Sequence, residues 1–261
     1  MARVTTGYKD RIAYVTLARP DKHNALDEEM IGAIIAAGQE VAASDARAVV
    51  LSGAGKSFCA GLDMAAMAGL AQQDPGSLIM ERTHGDANAF QEVAMVWRRV
   101  PVPVIAALHG ACFGGGLQIA LGADIRVAHP EAQLSVMEMK WGLIPDMGGM
   151  ALLPRLLRSD VLRRLTYTAE KIDAGQALDW GLVTELAGNP LCRANELATA
   201  IAAQSPAAIR AAKRLIGYAE SGAAEAGVLL AESAEQAELI GTAEQMEAVA
   251  AGLMKRTPEF P

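Results

Sequence analysis

Four short apolar runs, separated by stretches with helical spacing, constrain this chain more than any other feature. They lie at residues 12–17, 48–51, 103–108 and 125–128. The first stops at Arg19-Pro20-Asp21 and the second at Ser52-Gly53-Ala54-Gly55, while the third has its prolines, Pro101 and Pro103, at the entry. Prolines there cost no ladder hydrogen bond. Runs that are apolar throughout, and not alternating, suit strands covered on both faces, as in parallel sheets. Between the first two, a helix is expected from about 27 to 43, with Asp27 as N-cap and Met30, Ile34 and Val41 facing inward. A long helical stretch is expected after the 53–63 loop up to Arg99. Strand, helix, strand, helix, strand in that order is an α/β fold with crossovers.

From about residue 160 the pattern turns helical, and Ser205-Pro206-Ala207 opens a helix with Lys213 and Arg214 expected in its last turns as partners of its dipole. The expected division is a core over 1–200 and an Ala- and Glu-rich helical region over 201–261. A chain of 261 residues, 52% hydrophobic and 20% charged, is long enough and apolar enough to fold.

Several function classes fall away. The net charge of -7 disfavours nucleic acid as a partner, because phosphate backbones are gripped by clustered Lys and Arg. Three widely spaced cysteines, Cys59, Cys112 and Cys192, read as reduced intracellular thiols. No CxxC pair or His cluster has metal-ligand spacing. The segment Met1-Ala2-Arg3-Val4-Thr5-Thr6 lacks a signal-peptide core, and no window approaches the ~18 apolar residues of a membrane span. A cytoplasmic protein is expected. Gly55-Lys56-Ser57 looks like the end of a P-loop, but Val50 stands where its first glycine belongs. GxGxxG and GxSxG are absent too.

Chemistry concentrates between His109 and Gly149. Gly114-Gly115-Gly116 is expected to open a helix, which brings main-chain N–H groups close to a ligand. Glu138 follows Gln118 by twenty residues, and Asp146 sits in Pro145-Asp146-Met147-Gly148-Gly149. Paired N–H donors that hold a negative oxygen beside a proton-moving carboxylate amount to enolate chemistry. The 53–63 loop and the 109–116 loop both follow parallel strands, so both belong at the ligand-binding edge of the sheet. Plainer readings stand beside these. Glu138 fits a capping box with Ser135, Asp146 suits a helix cap, His109 suits a structural role, and Lys22 and His23 suit a solvated loop.

Five segments in this order and spacing resemble the enoyl-CoA hydratase/isomerase (crotonase) family along nearly the whole chain. They are Arg19-Pro20 through Asn24-Ala25-Leu26, Phe58-Cys59-Ala60-Gly61-Leu62-Asp63, His109-Gly110 through Gly114-Gly115-Gly116, Ala123-Asp124-Ile125-Arg126, and Gly142-Leu143-Ile144-Pro145 through Gly149. The resemblance implies a spiral of ββα units, a C-terminal helical part that builds trimers or hexamers, and a bound acyl-CoA thioester as substrate with no cofactor. It implies oxyanion-hole N–H groups at Ala60 and Gly115, with Glu138 and Asp146 as catalytic acids. Substrate contacts are implied at Lys22, Ala25, Asp63, Met64, Phe113, Gly114, Gln118 and Trp141.

Family hydratases carry glutamates at the positions of both Gln118 and Glu138, and Gln118 cannot ionise and at most orients a water. Double-bond isomerisation, which needs one carboxylate, is therefore expected over hydration. Dienoyl-CoA isomerases of the family carry an aspartate where Asp146 stands, though usually another at the position of Gln118. The alternatives are a hydratase in which Asp146 replaces the missing glutamate, and an acyl-CoA-binding homologue with little catalysis.

Overall fold

The computed structural model describes residues 2–70, 72 and 74–260. Met1 of the N-terminal segment and two positions of the expected long helix lie outside them. The four apolar runs form four strands of a six-stranded sheet. Its members are β1 (Val4–Lys9), β2 (Ile12–Leu17), β3 (Ala48–Gly53), β4 (Val104–Leu108), β6 (Ile125–Ala128) and β9 (Glu185–Leu186), in the order β1-β2-β3-β4-β6-β9. Within this sheet β1 and β2 pair antiparallel, and the neighbours from β2 through β3, β4 and β6 to β9 pair parallel. Every residue of β4 is buried, as a strand covered on both faces requires.

A second sheet is made of β5 (Ala111–Phe113), β7 (Gln133–Ser135) and β8 (Ile172–Asp173). The chain thus lays one strand in the large sheet and the next in the small one, β4 then β5 and β6 then β7, winding the spiral that the resemblance implies. Isolated bridges, Cys59 to Cys112 and Leu26 to Leu62, continue the small sheet's side toward the N-terminal turns. The 59–63 segment is thereby placed directly against the start of the glycine-rich turn.

Helix α1 (Glu28–Ala42) starts as its sequence dictates: the Asp27 carboxylate accepts from the Met30 N–H at 2.8 Å, and Met30, Ile34 and Val41 are buried. The single long helix expected up to Arg99 is instead three helices among the described residues: α2 (Met64–Leu70), α3 (Pro75–Ile79) and α4 (Ala89–Arg99). Asp74 caps α3 with Pro75 at its first turn, and Asn88 and Gln91 form a capping box on α4, so each start is separately specified. The next helices are α5 (Gly115–Leu121), α6 (Gly149–Leu152), α7 (Ser159–Thr168) and α8 (Ala174–Asp179). Then α9 (Pro190–Ala202) returns onto the sheet, burying Ala194 and Ala198 against Ile12, Val50 and Ile105.

Beyond α9 come α10 (Pro206–Ala219), α11 (Glu225–Leu239) and α12 (Ala243–Met254). Ser205 caps α10 through the Ala208 N–H. The helix extends to Ala219, which corrects the expectation for Lys213 and Arg214: they sit in mid-helix and not at a dipole end. Lys213 Nζ donates to the Trp97 and Val102 carbonyls at 3.3 and 2.9 Å and meets Asp124 Oδ2 at 2.7 Å. Burial lowers its pKa, and Asp124 opposes that shift. Arg214 pairs with Glu235 of α11 at 2.6 Å. No helix among the described residues is long and apolar enough to cross a membrane.

Candidate active site

The strand ends and glycine turns enclose a cavity of about 390 Å³. It is lined by Lys22, Ala25, Ala60, Asp63, Met64, Gly114, Gly115, Glu138, Trp141 and Asp146, which brings ten of the twelve singled-out residues together. Phe113 and Gln118 are not on its wall. The Phe113 ring turns to the Lys171 ammonium, 4.8 Å from its centroid, and Gln118 is 2% exposed behind the wall.

Asn24 organises the near side. This residue is fully buried, and its Nδ2 donates to the carbonyls of Ala54, Ser57 and Phe58 at 2.9, 2.8 and 3.1 Å, while its Oδ1 accepts from the Arg19 N–H at 2.8 Å. His23 and Asn24 take left-handed backbone angles, φ 50° and 56°, so that this clasp can form. The expected solvated loop holds for Lys22 and His23, both exposed, while Asn24 beside them is a buried tie. Replacing Asn24 with Ala is expected to cost about 2–4 kcal/mol, because buried carbonyls lose their amide partner. Urea unfolding checks this, and a loss well under 1 kcal/mol would contradict it.

One main-chain donor is corrected. The Ala60 N–H, expected to face the ligand, donates to the His23 carbonyl at 3.0 Å. Gly61 then turns the chain at φ +92°, and the next amide, Leu62 N–H, has no acceptor among the described residues. The Gly115 N–H, at the first turn of α5, is likewise without one. Leu62 and Gly115 both line the cavity. The two segments are pressed together: a Cβ on Gly61 would stand 2.8 Å from the Phe113 carbonyl and 3.7 Å from the Gly115 nitrogen. The signal that points to Leu62 is Gly61, a residue able to redirect the peptide after it. Asp63 also lies on the rim, but its carboxylate is committed to Arg19 at 2.8 Å and to the Ala65 N–H at 2.8 Å.

On the far side, Glu138 opens a 3-10 turn over Glu138–Trp141 and does not cap it. Ser135 donates instead to the Ala169 carbonyl, so the capping-box alternative falls. Glu138 Oε1 accepts from Gln118 Nε2 at 2.6 Å, and Oε2 is buried with no protein partner. Burial pushes this carboxyl above its usual range, the charge of Asp146 adds to the rise, and the Gln118 hydrogen bond works against it. Gly114, at φ +51°, is forced by this neighbour as well, since a Cβ there would meet Glu138 Oε1 at 3.2 Å.

Asp146 keeps an exposed flank, yet the surrounding wall raises its pKa by burial too. It caps nothing: α6 begins at Gly149, and its N-cap is Gly148. Met64, Met67, Met137, Trp141, Leu143, Ile144 and Met147 supply an apolar wall around these carboxylates. His109 is structural, its Nε2 against the Gly55 carbonyl at 3.1 Å. Cys59 and Cys112 are free and buried, and Cys192 is free and exposed. Among the described residues no group of three or more His, Cys, Asp or Glu could hold a metal ion.

A family model described as enoyl-CoA hydratase/isomerase matches residues 7–261. The mitochondrial Δ(3,5)-Δ(2,4)-dienoyl-CoA isomerase of Rattus norvegicus is 36% identical over 219 residues, 81% of this chain and 67% of that protein. An enoyl-CoA hydratase of Mycobacterium tuberculosis is 36% identical over 209 residues, 79% of this chain and 77% of that protein. Among solved structures, an enoyl-CoA hydratase from Polaromonas sp. JS666 superposes with a TM-score of 0.89 at 29% identity, covering 99% of each chain.

Proposed function

Because the chain belongs to the enoyl-CoA hydratase/isomerase family, we propose that it shifts a double bond along the acyl chain of an enoyl- or dienoyl-CoA. The thioester oxygen is held between the N–H groups of Leu62 and Gly115, which makes the adjacent carbon acidic. Glu138 Oε2 takes the proton from that carbon and charge collects on the oxygen. A proton then returns further along the chain, to C4 of a 3-enoyl thioester or, with Asp146 assisting, to C6 of a 3,5-dienoyl one. One proton leaves and one arrives, so the step needs no oxidant, metal or cofactor beyond the thioester itself. The Met-rich wall, with Trp141, suits an apolar acyl chain.

The observation that carries this reading is the state of Gln118. Its amide cannot ionise, and its hydrogen bonds go to protein groups, so among the described residues Glu138 has no second glutamate beside it on the cavity wall to activate water. Assays of a 3-enoyl-CoA, a 3,5-dienoyl-CoA and a 2-enoyl-CoA under one condition test it. The expected result is faster double-bond migration than water addition. Water addition at an equal or greater rate reverses the assignment to a hydratase, and tight thioester binding with no turnover of any substrate makes the protein a binding homologue.

Self-association belongs to the same proposal. Leu230, Ile240, Leu253 and Met254 are 71, 67, 81 and 70% exposed on and between the C-terminal helices, large apolar side chains that a neighbouring copy would cover. A trimer, or a pair of trimers, acting in the cytoplasm is the expected state.

A further inference from the structure

We propose that Gln118 is a positioning residue that sets both the orientation and the proton affinity of Glu138 and hangs the Asp146 loop from the same amide. This rests on the reading of Glu138 as the proton-moving group. Gln118 has one carbonyl oxygen and one NH₂ group to place. The oxygen accepts from the Met147 N–H and the Gly149 N–H, both at 2.8 Å, and the nitrogen donates to Glu138 Oε1 at 2.6 Å. A flipped amide would set NH₂ against two N–H donors and an oxygen against a carboxylate oxygen, so the chemistry admits one orientation only.

Three consequences follow from that orientation. Glu138 is pinned through Oε1, which leaves the buried Oε2 as its free oxygen. A donor to the charged form steadies the carboxylate against burial and against Asp146, the charged neighbour on the facing loop. The loop bearing Asp146 is also tied at Met147 and Gly149, so the spacing between the two acids depends on one side chain. Gly149 lacks a side chain for this purpose: a Cβ there would stand 2.6 Å from Gln118 Oε1.

The test is solvent-deuterium incorporation at the carbon next to the thioester of a 3-enoyl-CoA, measured against pH for Gln118→Met, Gln118→Glu and Glu138→Gln, alongside melting curves. Gln118→Met removes the donor and the acceptor; Gln118→Glu keeps the acceptor for both loop amides, and so the loop. For the Met variant kcat is expected to fall about 10- to 100-fold with KM unchanged, the scale of a displaced catalytic group. In both variants the acidic limb of the rate profile moves to higher pH, through a lost donor in one and a like charge in the other. If both Gln118 variants keep the parent pH limb while Glu138→Gln abolishes exchange, the positioning role is overturned and the reading of Glu138 stands. If Glu138→Gln still exchanges at the parent rate, both fall.

Discussion

Glu138→Gln is expected to lower proton transfer by about 10² to 10⁴ while thioester affinity stays near the parent value. The replacement is nearly isosteric, and its carbonyl can still accept from Gln118 Nε2, so the wall of the cavity keeps its shape. Only the ability to take a proton is lost. Stability should move the other way. The folded-state pKa of Glu138 is raised by burial, so the folded protein binds this proton more tightly than the unfolded chain does. Its contribution to stability is therefore greatest below the unfolded pKa and declines as pH rises through the window between the unfolded and folded values. The Gln variant has no such decline, and near neutral pH it is expected to melt no lower than the parent. Turnover by the variant within a few-fold of the parent would remove Glu138 from the mechanism. A clear drop in melting temperature would show that the carboxylate is structural.

The second large effect is at Gly116. A Cβ on this residue would lie 2.4 Å from the Cys59 carbonyl oxygen and 2.7 Å from Cys59 Cβ, closer than packed atoms approach. Cys59 is held by its backbone bridge to Cys112 and is 0% exposed, so it cannot step aside. Gly116→Ala must then push α5 and the 59–63 segment apart, and these carry the Gly115 and Leu62 amides. Loss of one such donor typically costs about 10² to 10³ in rate. Overpacking of a close-packed seam adds about 1–3 kcal/mol of destabilisation. Steady-state kinetics and thermal melting read both effects. A Gly116→Ala variant with the parent kcat would show that the two amides are not acting together on one oxygen.

The large sheet was legible because burial on two faces writes itself into composition: runs such as Val49-Val50-Leu51 and Ile105-Ala106-Ala107-Leu108 admit few other readings. Asp27 was legible as a cap because the capping bond is local in sequence. The small sheet was not, since strands of two or three residues are too short to display a period. The break of the expected long helix had its sign in Asp74-Pro75, a cap followed by a helix-starting proline.

In the site, residue types were legible and directions were not. Glu138, Asp146 and the glycines stand at one cavity, but which amide of the 60–62 segment is free depends on the turn at Gly61. The roles of Asn24 and Gln118 lie mostly in bonds spanning 20 to 34 residues, and apart from Glu138 the partners are main-chain groups that carry no side-chain signature.

The buried ammonium of Lys213 bears on how this polypeptide can be dissected. It supplies the proton donor for two carbonyls at the α4–β4 junction and the counter-ion for Asp124, whose Oδ2 also accepts from the Val104 N–H where β4 begins. A shortened chain ending near residue 203 would strand an anion and two carbonyls and strip the cover from Leu121, Leu152 and Leu156. Helix α10 is thus a keystone for the strand that feeds the glycine turn, and excising it with the helices that follow would forfeit the catalytic half as well.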